Sequence, residues 1–123
     1  MELKLYVCRH CGNVIWKVVD KGVPVTCCGE KMEELVPGTT DAAREKHVPD
    51  IKREGDTVKI TVGSVVHPML EEHYISMIAA VSGDTATVRF PKPGDEPALT
   101  VESREPVTAY EICNLHGYWK GQE

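Results

Sequence analysis

Apolar and polar residues alternate with a period of two along most of this chain, and turns built on glycine, proline and aspartate divide the alternation into short strands. Leu3-Lys4-Leu5-Tyr6-Val7 is the first, Val14-Ile15-Trp16-Lys17-Val18-Val19 the second, and after an Asp20-Lys21-Gly22 turn Val23-Pro24-Val25-Thr26 leads back. Pro37-Gly38 is the first strong break. Thr39-Thr40-Asp41 then offers an N-cap for a helical turn through Ala42, Ala43 and Arg44, with Glu45-Lys46-His47 at its exposed end, and Pro49 stops any continuation. Beyond Asp50 the period is two again. Ile51–Glu54, a Gly55-Asp56 turn and Thr57–Val62 read as a hairpin with Val58, Ile60 and Val62 on one face. Tyr74–Val81 is more continuously apolar, Ser82-Gly83-Asp84 turns the chain, and Thr85–Phe90 alternates. A loop from Pro91 to Pro97 precedes Ala98–Val101, and the last clear strand spans Val107–Ile112. Such spacing, with hardly any helix, predicts a mainly β protein: a small N-terminal unit over residues 1–36, then an immunoglobulin-like antiparallel β-sandwich over residues 37–123.

Composition narrows the partners. The 123 residues are 41% hydrophobic and 27% charged, an ordinary globular balance, and the formal charge is −5. That sign removes the electrostatic footprint of a nucleic-acid binder, and no Lys/Arg block suggests an anionic membrane. Met1-Glu2-Leu3-Lys4-Leu5-Tyr6 lacks the basic start and apolar core of a signal peptide, and no run approaches the roughly 18 apolar residues of a membrane span. The expectation is a soluble cytoplasmic protein, where thiols stay reduced and cysteines read as ligands before they read as disulfides.

The five cysteines divide as four plus one. Cys8-Arg9-His10-Cys11-Gly12 is a C-x-x-C turn, and Cys27-Cys28-Gly29 returns a second pair to it across a hairpin. The pattern predicts a tetrathiolate metal site, since a unit this short builds little core and needs a staple. Zinc and iron both accept four thiolates, and the adjacency of Cys27 and Cys28 should strain the angles at either metal. His10, between the first two ligands, is expected to face water.

The fifth cysteine heads Cys113-Asn114-Leu115-His116, a thiol and an imidazole three residues apart. His47, His67 and His73 lie upstream, each at a strand end or in a loop, where a scaffold gathers side chains from separate segments. Together these five predict a second metal site.

The motifs Cys8-x-x-Cys11 with Cys27-Cys28-Gly29, Glu45-Lys46-His47-Val48-Pro49, Val66-His67-Pro68-Met69 with His73, and Cys113-Asn114-Leu115-His116-Gly117 with Trp119 run through the whole chain. In this order and spacing they resemble the desulfoferrodoxin family, the two-iron superoxide reductases. The resemblance implies a desulforedoxin-like Fe(Cys)4 centre on Cys8, Cys11, Cys27 and Cys28, with zinc a possible occupant. It implies a second iron with His47, His67, His73 and His116 in a plane and Cys113 axial, leaving the position opposite Cys113 open. There superoxide would be reduced to hydrogen peroxide without dioxygen formation. The axial thiolate would push electron density toward that position, as an axial Cys does in haem enzymes. Lys46 would attract the anion, and Glu45 would occupy the open position in the ferric state. A rubredoxin-type electron donor and a homodimer are also implied. Tyr74 stands where many members carry Trp.

Two other readings use the same residues. A superoxide dismutase would return dioxygen and half the peroxide. A non-enzymatic protein would use the cysteines as a structural zinc knuckle and the sandwich as an interaction module.

Overall fold

The computed structural model describes residues 1–38, 42–65 and 67–123, so the Thr39-Thr40-Asp41 cap and Val66 lie outside the described residues. Two units form, Glu2–Val36 and Pro37–Glu123. In the first, strands β1 (Leu5–Val7) and β2 (Val14–Trp16) pair antiparallel, and β3 (Thr26–Cys27) pairs with β4 (Glu30–Lys31). The strand β5 (Glu33–Glu34) closes the other side of β1. The expected run Val14–Val19 stops at Trp16 because β1 offers only three residues to pair with, and Val18 and Val19 are exposed. The buried apolar residues of this unit are Leu3, Leu5, Val7 and Cys8. So few cannot offset the entropy of ordering the segment, which makes a staple necessary.

The second unit carries a short helix α1 (Arg44–His47), which starts two residues later than the sequence suggests. His47 is therefore carried inward by the helix and is buried, rather than sitting at an exposed turn end. Val48 ends the helix, its N–H donating to the Arg44 carbonyl, and Pro49 opens β6 (Pro49–Glu54). There follow β7 (Thr57–Val62), β8 (Ile75–Ser82), β9 (Thr85–Arg89), β10 (Ala98–Glu102), β11 (Thr108–Cys113) and β12 (Gly117–Gln122). Two antiparallel sheets result, in the orders β10-β7-β6 and β12-β11-β8-β9. The expected immunoglobulin-like sandwich is what forms, with one strand more than the sequence suggests. Gly117–Gln122, rich in glycine and polar residues, carries weak strand signals of its own and is ordered by pairing with β11 over its full length.

Val58, Ile60 and Val62 of β7 face Ile75, Ile78 and Ala80 of β8 and Val107, Ala109 and Cys113 at β11 in one apolar core. The thiol of Cys113 thus begins inside the hydrophobic layer. Where β11 meets β8 the register slips by one residue between Ile112 and Cys113: Ile112 pairs with Met77, but Cys113 pairs with Ile75. Such irregularities re-aim a side chain at the rim of a sheet.

Arg53 of β6 locks the far end of the sandwich. Its guanidinium donates to the Glu123 carboxylate and to the Gly55, Ser103 and Glu105 carbonyls, while the Val107 N–H donates to Glu123 Oε1 at 2.9 Å. The Arg53 bonds, seconded by Val107, pull the Glu123 carboxyl down to about 2. A carboxylate whose pKa falls on folding adds stability above its ordinary value near 4.5, and that stability is lost as the pH drops from there through about 2. Arg53→Ala is accordingly expected to lower the Tm by about 5 °C at neutral pH. Thermal unfolding at a series of pH values should show the gap between the two proteins closing under acid; a gap constant with pH would refute the coupling.

Candidate metal centres

The four N-terminal cysteines converge. Their sulfurs all lie within 4.8 Å of one another. Cys11 Sγ is 3.6 Å from Cys27 Sγ, and Cys27 Sγ is 4.0 Å from Cys28 Sγ. The edge of a tetrahedron with metal–sulfur bonds of about 2.3 Å is about 3.8 Å, so the donor set matches a tetrathiolate centre. The adjacent pair is accommodated by the backbone. Cys28 and Gly29 form the two-residue loop between β3 and β4, with φ of 53° and 78°, the positive pair that type I′ hairpins require. Cys28 is the one non-glycine residue with positive φ among the described residues, so strain expected at the metal is carried by the main chain instead. The N–H of Cys11 donates to Cys8 Sγ and that of Asn13 to Cys11 Sγ, both at 3.5 Å. The Cys11 N–H holds the Cys8 thiol down at about 6, whereas the Cys11 and Cys8 sulfurs push Cys28 up to about 12. Four sulfurs this close shed all their protons only to a cation. His10 is exposed and outside the cluster.

The histidines converge as well. Taken in the order His47, His67, His73, His116 and back, successive ring centroids lie 4.7, 4.7, 5.0 and 4.9 Å apart, with interplanar angles of 78°, 80°, 78° and 85°. Across the ring, His47 and His73 are 6.5 Å apart and nearly parallel at 26°. That is a square of imidazoles, each turned edge-on to its neighbours. His47 Nε2 is 3.2 Å from His67 Nε2 and 3.1 Å from His116 Nδ1, close to the roughly 3.0 Å between adjacent donors around a metal with bonds of about 2.1 Å. Cys113 Sγ is 3.8 Å from His116 Nδ1, and the donor atoms of His47, His73, Cys113 and His116 all fall within 4.8 Å of one another.

Proton placement decides what the square is for. His47 Nδ1 lies 2.6 Å from the Ala43 carbonyl and His67 Nδ1 2.6 Å from the Pro68 carbonyl. A carbonyl oxygen cannot donate, so both Nδ1 atoms carry the hydrogen and both Nε2 atoms point bare lone pairs inward. Burial lowers the pKa of all three upstream histidines, His67 to about 4, with the neighbouring imidazoles adding to it. His73 Nε2 is buried without a partner. Facing lone pairs near 3 Å repel unless a cation lies between them, and an orphaned buried nitrogen asks for the same thing. Burial raises the Cys113 thiol, against the opposing pull of the Leu115 and His116 N–H groups, so a metal must displace its proton.

Other residues brace the site. Trp119 donates its indole N–H to the His116 carbonyl at 2.9 Å and stacks on His47 at 5.1 Å and 26°, tying together ligand candidates far apart in sequence. The sequence motif includes Trp119 without showing this bond. Glu111 of β11 was not legible as special: it is fully buried, neither carboxylate oxygen has a partner, and burial raises it to about 9, so it is a neutral acid at neutral pH. Its signal is strand alternation, which puts it on the face of Ala109 and Cys113.

Glu45 and Lys46 are exposed on α1 beside the square. Lys46 is among the charges that lower His73, after burial and His116. The Glu45 carbonyl accepts the Val65 N–H at 2.9 Å and the Ser64 hydroxyl at 3.3 Å. Gly63 explains how β7 comes so close. At φ +81° it sits where an added Cβ would be 2.4 Å from the Val65 oxygen, 2.7 Å from that of Lys46 and 2.8 Å from that of Glu45.

A sequence model of the desulfoferrodoxin family, described as Desulfoferrodoxin, matches residues 39–122. This chain belongs to the desulfoferrodoxin family. The desulfoferrodoxin of Nitratidesulfovibrio vulgaris is 43% identical over 98% of this chain and 97% of its own. A desulfoferrodoxin homologue of Archaeoglobus fulgidus is 42% identical over 96% of this chain and 95% of its own. Among solved structures, the superoxide reductase of Treponema pallidum superposes with a TM-score of 0.78 at 34% identity, covering 98% of this chain and 99% of that one. The one-iron superoxide reductase of Giardia intestinalis gives a TM-score of 0.57 at 31% identity, over 64% of this chain and 97% of that one. These matches to members of the desulfoferrodoxin family and to superoxide reductases agree with the two donor clusters just described.

Proposed function

We propose that this desulfoferrodoxin is a superoxide reductase, with an Fe(Cys)4 centre in the first unit and an Fe(His)4(Cys) centre in the second. The observation that carries the reading is the square of four imidazoles, with the lone pairs of His47 and His67 turned inward, close to one buried thiol. His47, His67, His73, His116 and Cys113 would hold the iron, five donors in all, fewer than the six that a closed octahedral set would use. An iron bound there would supply the chemistry of one-electron reduction, by which superoxide with two protons becomes hydrogen peroxide.

The chain's own residues serve that chemistry in distinct ways. The carbonyls of Ala43 and Pro68 fix the tautomers of His47 and His67, and so keep their Nε2 atoms available as donors. The Cys113 sulfur receives the Leu115 and His116 N–H groups, which moderate its electron donation. Lys46 supplies a local positive potential to an anion approaching a protein of net charge −5, because nearby charge governs the last few ångströms of approach. Glu45, its neighbour on α1, would supply a carboxylate to the oxidised centre. Iron at Cys8, Cys11, Cys27 and Cys28 staples a unit with four buried apolar side chains. Family membership supports a rubredoxin-type electron donor, a homodimer and action in the cytoplasm.

The test is product stoichiometry on anaerobically purified protein with counted iron. Two irons per chain are expected, and in the presence of a reductant one peroxide per superoxide with no dioxygen. Half the peroxide, with dioxygen, would identify a dismutase. Zinc at one equivalent, with nothing bound at the histidines, would favour the interaction module.

A further inference from the structure

Asn114 stands between Cys113 and His116 yet takes no place in either donor cluster. Its carboxamide is engaged elsewhere. Oδ1 accepts the Tyr74 N–H at 2.8 Å, Nδ2 donates to the Glu72 carbonyl at 3.1 Å, and the Asn114 N–H donates to the Tyr74 carbonyl at 3.1 Å. These three bonds grip the main chain immediately before and immediately after His73. That loop is also closed by a reciprocal pair of backbone bonds between Leu70 and His73 at 2.9 and 3.1 Å, and Met69 at its start accepts the Ile75 N–H on its sulfur at 3.3 Å.

His73 needs such a grip more than His47 and His67 do. The rings of His47 and His67 are each held by an Nδ1–H bond to a carbonyl. Among the described residues no carbonyl holds the ring of His73, and its Nε2 is buried without a partner. The direction in which this imidazole faces therefore follows from its backbone, and Asn114 holds that backbone.

Resting on the reading of the square as a metal centre, we propose that Asn114 is the positioning residue for His73. It couples the hairpin that bears Cys113 and His116 to the loop that bears His73, so that these three donors are set as one rigid group. The task needs a donor and an acceptor on one short side chain, which a carboxamide provides. Aspartate keeps the acceptor for Tyr74 but sets an oxygen against the Glu72 carbonyl, and alanine loses both bonds. Because Asn114 is exposed, either change leaves the apolar core intact.

The experiment uses the full-length iron-loaded chain. It follows amide exchange at Tyr74, loss of histidine-site iron to a chelator, and the ferric thiolate absorption, with the tetrathiolate iron as internal control. In Asn114→Ala, Tyr74 exchange and iron loss are both expected to be about tenfold faster, with a shifted thiolate band at the histidine site and an unchanged tetrathiolate spectrum. Asn114→Asp should fall between alanine and wild type. Combined with His73→Ala, Asn114→Ala should add nothing to the iron loss. Wild-type exchange and iron loss in Asn114→Ala, or a full additive effect in the double variant, would overturn the proposal. Should the wild type itself take up no second iron, the metal-centre reading fails, and Tyr74 exchange decides the grip alone: faster in Asn114→Ala upholds it, unchanged overturns it.

Discussion

Cys113→Ser is expected to lower the rate of superoxide reduction on the order of a hundredfold or more, beyond what loss of an outer residue around a metal costs. A hydroxyl is a far weaker acid and a harder donor than a thiol, so it neither ionises readily nor pushes electron density toward the open position. The fold should survive the change. Serine is nearly isosteric, and although Cys113 is 1% exposed and packs in the core cluster, the N–H groups of Leu115 and His116 that reach its sulfur would satisfy a hydroxyl. The expected signature is a lost ferric thiolate band and a collapsed second-order rate, with thermal unfolding of the sandwich changed by about 1 kcal/mol. A wild-type rate in protein shown to hold both irons would remove the electron-donating role from Cys113.

Gly63→Ala should come second in size and differ in kind, striking stability and rate together. The left-handed backbone at this position disfavours a side chain by about 1–2 kcal/mol. The added Cβ would also overlap three backbone oxygens at 2.4–2.8 Å, none of which can swing aside as a flexible side chain does. A further cost of about 1–3 kcal/mol follows from such crowding. Relief requires α1 to move off β7, breaking the Val65 bond to Glu45 and shifting Lys46 and His47. A displacement near 1 Å at a reacting centre can cost on the order of a hundredfold in rate. Lys46→Ala is the comparator: it should slow the reaction and flatten its salt dependence while leaving the Tm near wild type. If Gly63→Ala unfolds at the wild-type temperature and turns over at the wild-type rate, the close approach of β7 is not what holds the turn.

Much of the site was legible because donor chemistry is carried by residue type and spacing. Cys8, Cys11, Cys27 and Cys28 announce a tetrathiolate site, and the histidines with Cys113 announce a second centre. What the spacing of Cys27 and Cys28 could not show is how adjacent cysteines serve one metal; the answer is a two-residue turn with Cys28 at positive φ. The helix start was misplaced by two residues, since one helical turn has little periodicity to read and its placement follows from contact with the turn after β7. The strand β12 was missed because Gly117–Gln122 alternates weakly and owes its order to β11. Asn114 and Glu111 look like ordinary polar residues of a turn and a strand; only folding gives one its three bonds and, among the described residues, leaves the carboxylate of the other without a partner.

By itself the sequence indicated most of the strands of the sandwich and the donor types that gather in it, because alternation and ligand type are local properties of the chain. Which nitrogen of each imidazole faces inward, Nε2 for His47 and His67 but Nδ1 for His116, was decided by the tertiary structure. So was the register slip at Cys113 where β11 meets β8. A histidine ring turns according to the carbonyl that meets its other nitrogen; Ala43 and Pro68 supply theirs locally to His47 and His67, but the rings reach one another only when separate segments pack together.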